Sequence, residues 1–274
     1  VDDVINAPSA LYRVDGTGGI SMLLRTGDSV AGLTLDRILQ LEASSELLAI
    51  LVSSSSGAAV LVWDQVAGFS AIVDGTTVLP GQSVPFTVSG LPWSSPLSVS
   101  DRRVAFVHND LPNVLGTVCS GGAYLWESGM TQQVVGNQDR HPELGDRLEC
   151  FYSVYLGESE FWLEARTFTV TATVPPYANP GDLLAVRGDS LVRVRPDRLV
   201  PSPWEGGYRY RPILQRRRAL LWVESPGPFP GGPRGVYEVS LGSLGVPIPT
   251  LSEAGFILTI LLVAALGMRF VRRL

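Results

Sequence analysis

The chain has 274 residues, of which 17% are charged, with a formal net charge of −5, 29 Gly and 20 Pro. That length suffices to bury a sizeable core, and the Gly/Pro content without helix-forming runs argues against a mainly helical body and for an all-β one with many turns. All 21 basic residues are Arg and they form no basic stripe, so nucleic acid is not an expected partner.

The sequence opens on Val1 without a basic and apolar leader, and is expected to be either the product of signal-peptide removal or a fragment. From residue 10 onward, apolar β-prone runs recur. One set, at 47–51, 104–107, 161–165 and 219–223, has starts 57, 57 and 58 residues apart. A second set lies at 10–14, 59–63, 123–126, 184–187 and 236–239. Each of its first four members leads into a third strand, at 20–24, 69–73, 131–135 or 190–194. The Gly-bearing connectors at 15–19, 128–130 and 187–190 have hairpin chemistry, because Gly accepts the positive φ of tight turns.

A polar turn follows each third strand, carrying Asp28, Asp74, Asp139 or Asp197, and a fourth, mixed segment precedes the next repeat. Four strands in about 57 residues is the anatomy of a propeller blade. The runs alternate little between apolar and polar, as strands buried on both faces do. The expected fold is therefore all-β, a β-propeller-like body of about 4–5 four-stranded units over residues 1–240, plus one C-terminal transmembrane helix. A sandwich or stacked array of the same strands is the alternative. The count gives three complete units, second-to-fourth strands at the start and first and second strands at the end. Four blades leave 236–239 over, and five need an additional N-terminal strand.

The repeat resembles a group of secreted bacterial proteins whose propeller-like units carry a "Gly-x-Tyr, turn, strand, Gly-Asp" signature. The matching residues are Ala10, Leu11 and Tyr12 with Thr26, Gly27 and Asp28, and Gly122, Ala123 and Tyr124 with Gln138 and Asp139; only the first copy keeps Gly-Asp intact. This resemblance implies a fold and not a reaction.

Motifs for chemistry are missing. His108 and His141 are the two histidines, with no third His and no Cys-x-x-Cys pair to build a zinc site. No nucleophile elbow or phosphate loop occurs, and without Lys the latter is impossible. The turn acids Asp28, Asp74, Asp139 and Asp197 are expected to cap their own turns; the rival makes them calcium ligands or a convergent carboxylate pair for polysaccharide hydrolysis or lysis. Trp63, Trp126, Trp162 and Trp222 are expected to pack between blades and not to form a carbohydrate platform. No enzyme activity, cofactor or metal is expected. Cys119 and Cys150 are candidates for one disulfide in an oxidising compartment, closing about thirty residues and contributing roughly 3–4 kcal/mol.

The C-terminal stretch is the most informative. A Gly/Pro linker at 241–253 leads into a segment at 254–274 whose residues 254–268 carry no charge, and Arg269, Arg272 and Arg273 follow. An apolar helix of that length is at the short end for a membrane span of about 20 residues, with Arg269 snorkelling. The basic tail places the C-terminus in the cytoplasm and the β body outside the inner membrane. Ile248, Pro249, Thr250, Leu251 and Gly255, then the helix and the Arg tail, resemble the IPTL-type C-terminal sorting signal. That resemblance implies recognition by an exosortase-like transpeptidase and delivery to the cell surface, with Ile248, Pro249, Thr250, Leu251 and Gly255 carrying recognition. Ala254 stands where the usual form has Trp. The expected function is a non-catalytic surface protein that binds polysaccharide or another surface protein.

Overall fold

The computed structural model describes residues 10–14, 16–88, 95–110, 120–167, 182–194, 209–215, 218–224, 235–240 and 247–251. These residues form nineteen strands in five antiparallel sheets. The first sheet pairs β1 (Ala10–Val14) with β2 (Ile20–Arg25). The second holds β3 (Ser29–Val30), β4 (Leu33–Ala43), β5 (Leu48–Ser54), β6 (Gly57–Asp64) and β7 (Gly68–Val73) in chain order. Three four-stranded meanders follow. They are β8 (Leu97–Ser100) to β11 (Met130–Gly136) through β9 (Arg103–Asp110) and β10 (Ser120–Glu127), then β12 (Leu148–Leu156) to β15 (Ser190–Arg193) through β13 (Phe161–Thr167) and β14 (Asp182–Arg187). The last runs from β16 (Arg209–Gln215) through β17 (Arg218–Glu224) and β18 (Gly235–Ser240) to β19 (Pro247–Leu251).

Strands β4, β8, β12 and β16 contact one another in succession. Each of these four sheets thus turns one strand towards its neighbours, which is how blades stand around a propeller axis.

The four-strand repeat is as expected from the sequence, but its phase is not. The mixed segment assigned to the end of each unit instead opens the next sheet, because short turns join β4 to β5, β8 to β9 and β12 to β13 as hairpins. The connections after β7 and β11, 23 and 11 residues long, cross between sheets. The first sheet is accordingly two-stranded, with β3 and β4 given to the second. Residues 236–239 are not left over: they lie in β18, and the segment read as a linker supplies its outer partner β19.

Apolar layers alternate with the sheets. Leu24, Leu35, Ile50, Val52 and Leu61 bury the contact between the first two sheets. Ala49, Leu51 and Val62 meet Phe86, Val104, Phe106 and Tyr124 between the second and third, and Val107 and Ala123 meet Leu148, Phe151, Val154 and Leu163 between the third and fourth. Neighbouring residues of β5 therefore serve opposite layers, which accounts for a run that is apolar without alternation. The hairpin joining β10 to β11 has positive φ at both central residues, Ser128 (52°) and Gly129 (82°), the conformation of a two-residue primed turn.

Hydrogen bonds tie the sheets together at the period of the repeat. Gln40 Nε2 donates to Leu97 O at 3.0 Å and Ser44 Oγ to Asp101 O at 2.6 Å, both across 57 residues. Ser95 N donates to Ser153 Oγ and Leu156 N to Ser98 Oγ, each at 3.0 Å and across 58 residues. Strands β4 and β12 also share a pattern of two register shifts, at Leu35/Arg37 and Ile38/Gln40 in one and at Leu148/Cys150 and Phe151/Ser153 in the other.

Candidate functional site: turn acids, buried polar clusters and the motif strand

The turn acids are spent on their own turns. Asp28 Oδ2 accepts from Arg25 N at 2.9 Å, and its Oδ1 faces Arg25 Nε at 3.1 Å. Asp74 Oδ1 accepts from Thr76 Oγ1 at 2.7 Å, Thr76 N at 2.9 Å and Thr77 Oγ1 at 2.9 Å. Chiefly the Thr76 hydroxyl bond, against a lesser effect of burial, holds the Asp74 carboxyl below the usual carboxylate range. Asp139 Oδ2 accepts from Gly136 N at 2.7 Å. Asp197 lies outside the described residues. Local donors thus hydrogen-bond the carboxylates of Asp28, Asp74 and Asp139 within their own turns.

Both histidines accept backbone N–H groups at Nδ1. His108 is fully buried beside Phe86, and its Nδ1 accepts from Thr87 N at 3.1 Å. Its neighbour Asn109 reaches across to the fourth sheet, where its Oδ1 accepts from Phe151 N at 3.0 Å and its Nδ2 donates to Phe151 O. Gly121 in β10 is required here: a Cβ at that position would stand 2.2 Å from His108 O.

His141 is also fully buried. Its Nδ1 accepts from Glu143 N at 3.2 Å and Leu144 N at 3.1 Å, so the ring proton sits on Nε2, which faces Asp182 Oδ2 at 3.1 Å. Arg193 completes the group, with one nitrogen 2.7 Å from Asp182 Oδ1 and another 3.1 Å from Glu143 Oε2. Burial pushes the Asp182 carboxyl up, but the His141 hydrogen bond and the Arg193 charge outweigh it and leave the carboxyl below its ordinary value. The cluster joins the loop before β12 to β14 and β15.

The fourth sheet carries buried polar side chains. Glu164, Arg166 and Thr167 of β13 are each at least 96% buried, with Arg166 donating to Tyr152 OH at 3.4 Å. Glu149, the residue skipped by the first register shift of β12, is 6% exposed, and burial pushes its carboxyl up. Cys150 beside it is fully buried and disulfide-bonded; Cys119 lies outside the described residues. Among the described residues no group of three or more His, Cys, Asp or Glu could hold a metal ion.

The tryptophans whose side chains are described pack. Trp162 is fully buried, Trp126 lies against the layer between the second and third sheets, and Trp63 sits between Phe69 and the Arg13 guanidinium, 5.6 Å above its ring. The side chain of Trp222 lies outside the described residues.

Of the sorting-signal residues, Ile248, Pro249, Thr250 and Leu251 form most of β19, paired with β18. Gly255, the segment 254–274 and Arg269, Arg272 and Arg273 lie outside the described residues. No helix among the described residues is long and apolar enough to cross a membrane. Sequence reasoning did not single out Asn109, Glu149, Asp182 or Arg193.

Comparison with known proteins matches the IPTL-CTERM motif to residues 246–273, which span the Ile-Pro-Thr-Leu residues, the apolar segment and the Arg tail. The chain therefore carries a C-terminal sorting motif of that type. The body is similar in fold to the β-propeller domain of the Trilobed protease from Pyrococcus furiosus, described as having an open velcro topology. There the TM-score is 0.51 at 11% identity, over 89% of this chain and 67% of that one. A xylan β-1,4-xylosidase from Bacillus halodurans overlaps with a TM-score of 0.34, at 12% identity over 83% of this chain and 44% of that one. A B. megaterium levansucrase overlaps with a TM-score of 0.37, at 10% identity over 93% of this chain and 74% of that one. No curated protein matches the sequence. The described residues thus form a propeller-like all-β body, and the chain carries a C-terminal sorting motif.

Proposed function

We propose that this is an exported bacterial surface protein whose propeller-like body is a non-catalytic binding or structural module and whose C-terminal signal directs its sorting. The match of the IPTL-CTERM motif to residues 246–273 carries this reading. An exosortase-like transpeptidase at the inner membrane recognises Ile248, Pro249, Thr250, Leu251 and Gly255 and releases the body from the segment 254–274. Until then the segment spans the membrane as a helix, with Arg269, Arg272 and Arg273 on the cytoplasmic side and the body outside. Export supports a Cys119–Cys150 bridge, since disulfides persist in oxidising compartments.

The use of Asp28, Asp74 and Asp139 as turn caps supports a binding body over a polysaccharide hydrolase or lyase, because that rival drew on these residues. Polysaccharide or another surface protein is the proposed ligand class. The test is the intact mass of the protein recovered from its native cell surface. A mass short of the 254–274 segment is expected, and retention of that segment in the mature protein overturns the processing step.

A further inference from the structure

The strand β19 and the name-giving part of the sorting motif are the same residues. Pro247 stands opposite Val239, Ile248 opposite Glu238, Pro249 opposite Tyr237 and Leu251 opposite Val236, with one register shift between Val236 and Tyr237. Among the described residues β19 is the outer strand of the fifth sheet, next to β18. The two prolines suit that place. Residues two apart direct their backbone groups to the same side of a strand, and proline has no N–H to donate. A strand with Pro247 and Pro249 can thus pair through Ile248 while its proline side faces outward, where no further strand can add.

We propose that the Gly235–Ser240 edge is a binding site in cis for the sorting motif, so that the folded body and the sorting enzyme compete for one extended segment. This rests on the sorting role proposed above. Extended peptides are recognised through main-chain hydrogen bonds along an edge together with pockets for alternate side chains. While β19 is paired, the edge that carries the Ile248 amide and carbonyl is taken by β18. The motif becomes readable in the fraction of molecules whose last strand has peeled away, and processing slows by that fraction. A chain newly across the membrane, with its fifth sheet unformed, offers the motif freely, and a completed sheet withholds it.

A bridge between β18 and β19 tests this. Val239→Cys with Pro247→Cys leaves Ile248, Pro249, Thr250 and Leu251 intact. Opposed Cα atoms at a non-hydrogen-bonded antiparallel pair lie about 4.5 Å apart, within disulfide reach. In the native host, followed by intact mass, the bridged double variant is expected to lose the 254–274 segment about tenfold more slowly than either single variant. Equal rates overturn the competition. Hydrogen exchange on the full-length protein in detergent reads the pairing itself. A peptide covering 247–251 exchanging about tenfold or more slowly than an unstructured one supports the cis site, and exchange at the unstructured rate overturns it. Wild-type and single variants that all retain 254–274 overturn the sorting role and the competition with it, while the exchange measurement still decides whether β18 holds the segment.

Discussion

Asn109 does for Phe151 what a neighbouring strand would do: one side-chain amide accepts from the Phe151 N–H and donates to its carbonyl, linking the third sheet to the fourth. Asn109 is 2% exposed and Phe151 fully buried, so neither group has water as an alternative partner. Replacing Asn109 with Ala leaves a buried backbone donor and acceptor unpaired and is expected to cost about 2–3 kcal/mol. Urea unfolding of the body measures it. Asn109→Asp keeps the shape but loses the donor and buries a charge, so it is expected to cost at least as much.

Asp182 provides a pH dependence with a defined sign. Its carboxyl is held below its ordinary value against the opposing effect of burial. The stability it contributes is therefore complete above the unfolded value of about 3.9 and is lost as the pH falls through the lower folded value. Asp182→Asn is expected to lower stability at neutral pH and to flatten the decline below about pH 4. Thermal melts of both proteins across the acid range check it.

Glu149 runs the other way. Burial raises its carboxyl, so its folded form is favoured while protonated, and stability is lost as the pH rises from the ordinary value of about 4.3 through the raised folded value. Glu149→Gln removes that ionisation and is expected to gain on the order of 1 kcal/mol at neutral pH, with no gain at pH 4. Equal unfolding midpoints for the two proteins at pH 7 would contradict this.

The sorting signal departs from its usual form at Ala254. If the aromatic side chain is part of what the enzyme reads, Ala254→Trp increases the fraction of surface protein that lacks 254–274, by about fivefold for about 1 kcal/mol of added recognition. Intact-mass ratios in the native host read the change, and an unchanged ratio removes position 254 from recognition.

The strands were legible because a sheet buried on both faces writes an uninterrupted apolar run, as at 48–52 in β5. Their grouping was less so. Whether β8 closes one sheet or opens another depends on the turn at Asp101, which is tight and has a φ of 51°, and an apolar count carries no such information. The polar contacts were hidden for a different reason. Asn109 and Phe151 are 42 residues apart and His141 and Asp182 belong to separate elements, so no periodicity announces them. Asp28, Asp74 and Asp139 were legible as turn caps because that chemistry is local. The two prolines before Thr250 read as a linker, yet proline is compatible with a strand that has one free edge.

The hydrogen bonds from Gln40 to Leu97, Ser44 to Asp101, Ser95 to Ser153 and Leu156 to Ser98 all span one period of the chain, 57 or 58 residues. A recombination event that removes or duplicates one whole period would keep that spacing, but the polar side chains would not match: Gln40 and Ser44 donate at one joint, while Ser153 and Ser98 accept at the other. Blade copy number in such a gene can therefore drift in steps of one period, while each new seam has to find its own polar pairs.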